Sequence, residues 1–244
     1  YGNTALSQAT QRGHTEAVKL LERAIERAMS TLHEASRDGD IGRVTQLLDD
    51  GTPLDERGEH GKTALMWASE YGCTEVVKLL LGKGALVDEQ DHNYDWTALM
   101  WASWEGHTEV VQLLLEKGAS VNDKAHDGDT ALMHASQRDH TKVMKLLLDK
   151  GASVDVKNEY GNTALLQASQ RGHTKVVKLL LERNALVDGN AGRNGSALIR
   201  ASEYGCTDVV KLLLGKGASV NEQDHSYGWT ALMWASWEGH TEVV

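Results

Sequence analysis

Hydrophobic and polar positions recur along this chain in blocks with a period near 33 residues. Each block holds a Thr-Ala-Leu phrase, then Gly-His or Gly-Cys, then a run such as Val-Val-Lys-Leu-Leu-Leu, and then Gly-Ala. The first position of the phrase falls at Thr63, Thr97, Thr130, Thr163, Ser196 and Thr230. So regular a repeat predicts a solenoid, in which each unit stacks only on its neighbours.

One unit shows which elements the pattern predicts. Thr97 is placed to cap a short first helix that is rich in alanine, and Gly106 lets the chain leave that helix. Thr108 is placed to cap a second helix, whose branched apolar residues end near Gly118. Residues 121–129 are polar and contain Asn, Asp and Gly, as a tight turn requires. We therefore expect helix-turn-helix units joined by hairpin-like fingers.

From about residue 29 to residue 244, these motifs closely resemble the ankyrin repeat family. The family pattern is a polar turn, Thr-Pro-Leu-His, Ala-Ala, Gly-His, a Val-Val-x-Leu-Leu-Leu run and Gly-Ala. The resemblance implies an all-α solenoid of stacked helix-turn-helix units with projecting fingers. Here Ala replaces the usual Pro, and the usual His of Thr-Pro-Leu-His survives only at His33. Ala stands at the proline position at Ala64, Ala98, Ala131 and Ala164.

The repeat is irregular near the start of the chain. Residues 1–21 match residues 160–180 with four differences, yet Ala9 and the equivalent Ala35 are only 26 residues apart. Apolar residues keep helical spacing from Thr15 to Arg37 without Gly or Pro, which predicts one long helix shared by two units. We thus expect a partial unit at 1–28 and a repeat array at 29–244. An engineered splice and a natural, degenerate first repeat both fit this pattern.

The array stops within a second helix, at Val244. Two explanations stay open at this point, namely residues that follow Val244 or another chain that covers the exposed end.

Charge and composition narrow the function. The chain carries 35 acidic and 25 basic side chains, for a formal net charge of -10, which disfavours a nucleic-acid partner. It has no apolar run of the roughly 20 residues that a membrane span needs, so we expect a soluble, cytoplasmic protein. Cys73 and Cys206 occupy equivalent positions 133 residues apart, which favours free thiols.

The resemblance implies a protein-binding surface made of the fingers and the exposed side of the first helices. The tryptophans fall on that surface, and aromatic anchors often dominate binding. We expect Trp96, Trp104, Trp229 and Trp237 to be exposed, whereas Trp67, Trp101 and Trp234 are expected to pack between units. The predicted protein-binding residues are Lys62, Glu70, Tyr71, Tyr94, Trp96, Trp104, Glu105, Asp129, Gln137, Arg138, Asn162, Gln170, Arg171, Glu203, Tyr204, Trp229, Trp237 and Glu238.

Catalysis and metal binding find little support. The Gly-His histidines recur one per unit, so neighbours would lie about 10 Å apart, too far to share one zinc ion. They are expected to bond the turn between helices instead. These histidines are His14, His107, His140, His173 and His240. The pairs Asp49-Asp50 and Asp88-Glu89 have no nucleophile or base in a fixed relation to them.

We therefore predict a scaffold without catalytic activity, cofactor, metal or small-molecule substrate, whose partner is another protein. The alternative is an engineered or duplicated building block that self-associates into a homo-oligomer.

Overall fold

The structure is a computed structural model that describes residues 31–189 and 195–244. These residues form thirteen α-helices, and none of those helices is long and apolar enough to cross a membrane. In chain order the helices are α1 Leu32–Arg37, α2 Ile41–Asp49, α3 Ala64–Glu70, α4 Thr74–Gly82, α5 Ala98–Glu105, α6 Thr108–Glu116, α7 Ala131–Gln137, α8 Thr141–Asp149, α9 Ala164–Gln170, α10 Thr174–Glu182, α11 Ala197–Glu203, α12 Thr207–Gly215 and α13 Ala231–Glu238.

The helices stack in two layers. Odd-numbered helices are the first helices of the units, and each packs on the first helix of the next unit. Even-numbered helices do the same in the second layer. The two layers enclose one continuous apolar core, in which Leu65, Met66, Leu99 and Met100 are fully buried. The prediction of an all-α solenoid is therefore confirmed.

The first helices begin where the repeat predicts. Thr97 has extended backbone, and its hydroxyl accepts a hydrogen bond from the Met100 amide at 3.3 Å. Thr63 and Thr130 do the same for α3 and α7. Each threonine thus satisfies one of the amides that a helix start leaves unpaired.

The finger at residues 91–96 is a backbone hairpin that also touches its neighbour. Within one finger, the amide of Asp91 donates to the carbonyl of Trp96 at 3.0 Å. Between fingers, the amide of His126 donates to the carbonyl of Tyr94 at 2.9 Å. An isolated bridge joins Gln223 and Thr230, and no strand forms within 31–189 and 195–244.

Acidic and amide side chains also join consecutive units. Asp88 accepts a hydrogen bond from the amide of Ser120 at 2.9 Å, and Asn122 accepts one from the amide of Ser153 at 2.8 Å. Asp155 repeats this contact with Leu186 at 3.0 Å. These bonds explain why Asp or Asn recurs after each Gly-Ala.

The predicted long helix does not continue to Arg37. Thr31 has extended backbone, with φ of -74° and ψ of 167°, and it forms a capping box with Glu34, so α1 begins at Leu32. An extended residue interrupts the ladder of helical hydrogen bonds. The prediction of one uninterrupted helix is therefore wrong at Thr31. Residues 15–30 of that predicted helix and the whole partial unit at 1–28 lie outside the described residues.

Candidate functional site

The first aromatic cluster, defined as Tyr94, Trp96, Trp101 and Trp104, lies where a finger meets α5. Trp101 and Trp104 are three residues apart on α5, so both project from one side of the helix. Trp96, at the base of the finger, packs on both, with ring centroids 4.5 Å from Trp101 and 5.6 Å from Trp104. Tyr94 adds a ring 5.8 Å from Trp96.

A buried carboxylate holds this cluster in place. Asp91 accepts hydrogen bonds from the indole N–H of Trp101 at 2.9 Å and from the amide of Tyr94 at 2.8 Å. It therefore ties the finger to α5 and fixes the orientation of the Trp101 ring. Sequence reasoning missed this role. The signal was present, because an equivalent aspartate, Asp224, stands ten residues before Trp234.

The second aromatic cluster, defined as Tyr227, Trp229, Trp234 and Trp237, repeats this arrangement at α13. Trp229 lies 4.9 Å from Trp234 and 5.4 Å from Trp237 between ring centroids. Asp224 again accepts from the indole, at 2.6 Å. Burial opposes ionisation of Asp224, but hydrogen bonds from Tyr227, Trp234 and neighbouring amides hold its pKa below the ordinary value.

The two clusters differ in what covers them. Trp237 is 72% exposed, whereas Trp104 is half-buried because residues of the next unit pack on it. The guanidinium of Arg138 stacks 4.1 Å from the Trp104 ring centroid, and His134 contacts the ring edge-on at 5.7 Å. The same sequence motif thus forms a covered cluster in the third unit and an open one at α13.

Lys62 does not belong to an exposed surface, and its prediction as a partner contact is wrong. The residue is 5% exposed, and its ammonium pairs with Glu70 at 2.7 Å. The ammonium also lies 3.3 Å from the Trp101 ring centroid and 4.5 Å from that of Trp67. The charge is neutralised within the chain, so this side chain acts in packing.

Asp129 is also buried, at 3% exposure, and the prediction that it meets a partner is likewise wrong. Its carboxylate accepts hydrogen bonds from the side-chain amides of Asn158 at 2.7 Å, Gln137 at 2.9 Å and Gln167 at 3.2 Å. Burial raises its pKa, and these hydrogen bonds partly offset that rise. Asp129 therefore joins the units of α7 and α9 from within.

His134 lies beneath the first aromatic cluster and was not predicted as part of the site. It is 2% exposed, and its ring centroid lies 4.1 Å from that of Trp96. Neither ring nitrogen has a hydrogen-bond partner among the described residues. Burial lowers its pKa from 6.5 to about 4, so the ring is neutral at physiological pH.

The other predicted site residues lie on the same side of the stack, at first-helix ends and finger bases, with graded exposure. Exposed members are Tyr71, Tyr94, Glu105, Arg138, Arg171, Tyr204, Trp237 and Glu238. Half-buried members are Glu70, Trp96, Trp104, Gln137, Asn162, Gln170, Glu203 and Trp229. Of the three tryptophans predicted to pack between units, Trp101 is 8% exposed, and Trp67 and Trp234 are half-buried. The face is therefore a broad surface that carries both exposed and half-buried aromatic side chains.

The Gly-His histidines of the described units are structural, as predicted, although their partner lies in the preceding unit. Nε2 of His140 lies 2.9 Å from the carbonyl of Trp104, and Nε2 of His107 lies 2.9 Å from that of Glu70. Cys73 and Cys206 take the same position, and both are free thiols. Within 31–189 and 195–244, no three potential ligands converge as a metal site requires.

Comparisons with known proteins agree with this geometry. A family model described as "Ankyrin repeats (3 copies)" matches residues 32–125 and 119–191, and "Ankyrin repeats (many copies)" matches residues 198–244. The chain belongs to the ankyrin repeat family. Ankyrin repeat proteins generally mediate protein–protein interactions, and their repeat domains are typically non-enzymatic modules.

Among solved structures, the human ASB11 ankyrin repeat domain is similar to this chain. The two share 27% sequence identity with a TM-score of 0.77, over 86% of this chain and 96% of that one.

Similarity to curated proteins is confined to short segments. The "Ankyrin repeat domain-containing protein SAT10" of Stachybotrys chartarum is 37% identical over 90 residues, which are 36% of this chain and 5% of that protein. The "Ankyrin repeat, SAM and basic leucine zipper domain-containing protein 1" of Ovis aries is 36% identical over 61 residues, or 25% of this chain and 13% of that protein. The chain thus spans a small part of each relative.

Proposed function

We propose that this ankyrin repeat chain is a non-enzymatic scaffold that binds a protein partner through its fingers and first helices. One observation carries the proposal, namely the row of exposed aromatic side chains on this side of the stack. Tyr71 is 53% exposed, Tyr94 54%, Tyr204 51% and Tyr227 69%. Rigid aromatic side chains lose little conformational entropy on binding and are enriched among residues that dominate interface energy.

The aromatic row is held rigidly, which favours binding. Tyr94 projects from a finger whose backbone is bonded to the next finger through His126. Tyr71 and Tyr204 follow directly after α3 and α11, each of which packs between the first helices of the two neighbouring units. A surface that is already ordered spends less free energy on ordering when a partner docks.

The test uses a partner captured on the immobilised chain and measured by isothermal titration calorimetry. We expect the triple variant Tyr71→Ala, Tyr94→Ala, Tyr204→Ala to lose at least about tenfold in affinity, or about 1.4 kcal/mol. The matched control changes exposed residues on the second helices of three units, Lys78→Ala, Gln112→Ala and Lys145→Ala. Equal affinity of the two triple variants would contradict the proposal.

Self-association is a second candidate, favoured by the exposed side of α13. Leu232 is 55% and Met233 is 50% exposed, whereas the equivalent Leu99 and Met100 are each 1% exposed beneath α7. A further unit stacked on α13, whether from another copy or from residues after Val244, would bury this apolar surface, as α7 does on α5.

Sedimentation velocity over a range of about 1 to 100 µM tests self-association. The wild type should gain mass with concentration, and Leu232→Glu with Met233→Glu should abolish that gain. The control, Leu86→Glu, alters a leucine that is 54% exposed elsewhere and should leave the gain intact. A constant monomer mass of the wild type excludes this candidate.

A further inference from the structure

The two middle units form a basic segment within an acidic protein. Residues 130–183 contain nine Lys and Arg against five Asp and Glu, whereas the remaining residues contain 16 against 30. Equivalent positions show the change directly, because Glu109 and Asp208 on flanking second helices correspond to Lys142 and Lys175 in the middle. A uniform repeat would distribute charge evenly, so the two middle units differ in charge from the units on either side.

Two of these basic side chains lie on the aromatic face. Arg138 follows directly after α7, and Arg171 follows directly after α9, so they occupy equivalent positions in adjacent units. Both are exposed. The same position holds Tyr71, Glu105 and Tyr204 in other units, and thus arginine there is not demanded by the fold.

Other cations near this face are neutralised within the chain. Lys62 pairs with Glu70, Arg200 pairs with Glu203, and Arg57 pairs with Glu89. By contrast, within residues 31–189 and 195–244, neither Arg138 nor Arg171 forms an ion pair with a carboxylate. Their guanidinium groups keep most of their hydrogen-bond donors available to another molecule.

Neighbouring side chains hold both guanidinium groups in position. Arg138 stacks on the Trp104 ring at 4.1 Å, a cation–π contact that leaves its edge N–H groups free to donate. Nη2 of Arg171 donates to Oε1 of Gln137 at 3.5 Å, so it leans toward the unit of Arg138. Adjacent first helices lie about 10 Å apart. Two carboxylates a few residues apart on an extended segment can span that distance.

We propose that Arg138 and Arg171 anchor an acidic segment of the protein partner, with one carboxylate on each guanidinium. Carboxylates match the guanidinium fork in bidentate geometry. This inference rests on the proposed function, because it assigns the partner's chemistry at the same face.

The flanking charges favour a peptide over a nucleic acid. Glu105 lies one unit before the arginine pair, at the equivalent position. A phosphate backbone that crossed the pair would meet this carboxylate and a chain of net charge -10. A short acidic protein segment can place its charges on the two arginines alone.

The test selects binders from a displayed library of random 12-residue peptides on the wild-type chain. A single-stranded oligonucleotide of mixed sequence serves as the nucleic-acid probe. The variant is Arg138→Glu with Arg171→Glu, and glutamate is already present at the equivalent Glu105. The matched control is Lys142→Glu with Lys175→Glu, which makes the same change in net charge on second helices of the same two units. Circular dichroism melting confirms that both variants fold.

We expect wild-type selections to be enriched in Asp and Glu, and the arginine variant to bind selected peptides at least about tenfold more weakly per arginine. The lysine control should retain nearly full affinity. Peptides without acidic enrichment that still lose affinity in the Tyr71, Tyr94 and Tyr204 variant would overturn this inference and leave the proposed function standing. Tighter binding of the oligonucleotide than of the peptides would overturn it as well. Selected peptides that are indifferent to every variant of the face would overturn both.

Discussion

At the scale of single residues, His134 makes the stability of the stack depend on pH. Burial lowers its pKa from 6.5 to about 4, and Asp127 opposes that shift only in part. The unfolded chain therefore binds a proton that the folded chain rejects between these values, so stability falls as pH drops from about 6.5 toward 4. We expect the wild type to lose about 3 kcal/mol through this residue across that window.

Urea unfolding at pH 7, 5.5 and 4 measures this effect. The matched variant is His134→Gln, because Gln167 occupies the equivalent position in the next unit. Acidic residues elsewhere contribute equally to both proteins, so the difference between the two pH profiles isolates His134. Parallel profiles would show that His134 does not titrate as its burial implies.

The sequence predicted residue positions better than residue environments. The repeat places Lys62 and Asp129 at the base of a finger, a position at which Trp96, Asn162 and Trp229 are half-buried. The structure buries both, because Glu70 and two tryptophan rings surround the lysine, and three amides surround the aspartate. Some of these partners, such as Trp101 and Asn158, lie in the next unit. A pattern read within one unit could not reveal them.

At the scale of elements, three contacts between successive units place a glycine beneath a histidine ring, at His107, His140 and His240. Gly106 has φ of 82°, and a Cβ atom there would lie 2.6 Å from the ring of His140. Gly118 has a similar φ of 90° but nothing within 4 Å of such an atom. Gly118→Ala should cost about 1 kcal/mol from backbone strain alone, and Gly106→Ala about 3 kcal/mol, because the ring must also move.

Urea unfolding of the two glycine variants tests this difference, since both replace a glycine of positive φ by the same residue. Similar losses of unfolding free energy in the two variants would contradict this expectation. They would mean that the His140 ring can move aside without a free-energy cost.

The starts of the first helices were well predicted where a threonine cap was recognised, whereas the predicted cap at Thr108 is wrong, because His107 is the N-cap of α6 and makes no side-chain cap bond. Thr63 and Thr97 cap α3 and α5 as expected. The apolar spacing around Thr31 favoured a continuous helix, but the Thr31–Glu34 capping box begins a new one. The Thr-x-x-Glu signal was present in the sequence. The cap at Thr31 therefore starts a new helix, although the apolar spacing of the sequence around it is helical.

At the scale of the whole molecule, the 33-residue period predicted the solenoid because each unit must bury its apolar side against the next. The charged residues can be counted from the sequence, but the structure is needed to show which of them form ion pairs. Only the structure shows that Arg138 and Arg171 form no ion pair with a carboxylate among the described residues, whereas Lys62 and Arg200 do form such pairs. The sequence thus predicted where the candidate face lies. Which of its side chains are buried or ion-paired could be learned only from the contacts in the structure.

Hydrogen exchange of the chain, alone and saturated with a selected partner, tests most directly whether this face binds protein. We predict slower amide exchange in the partner complex at the fingers and first helices, within residues 92–105 and 126–138, and no change on α6 and α8. Protection confined to the second helices, or absent throughout, would contradict the account.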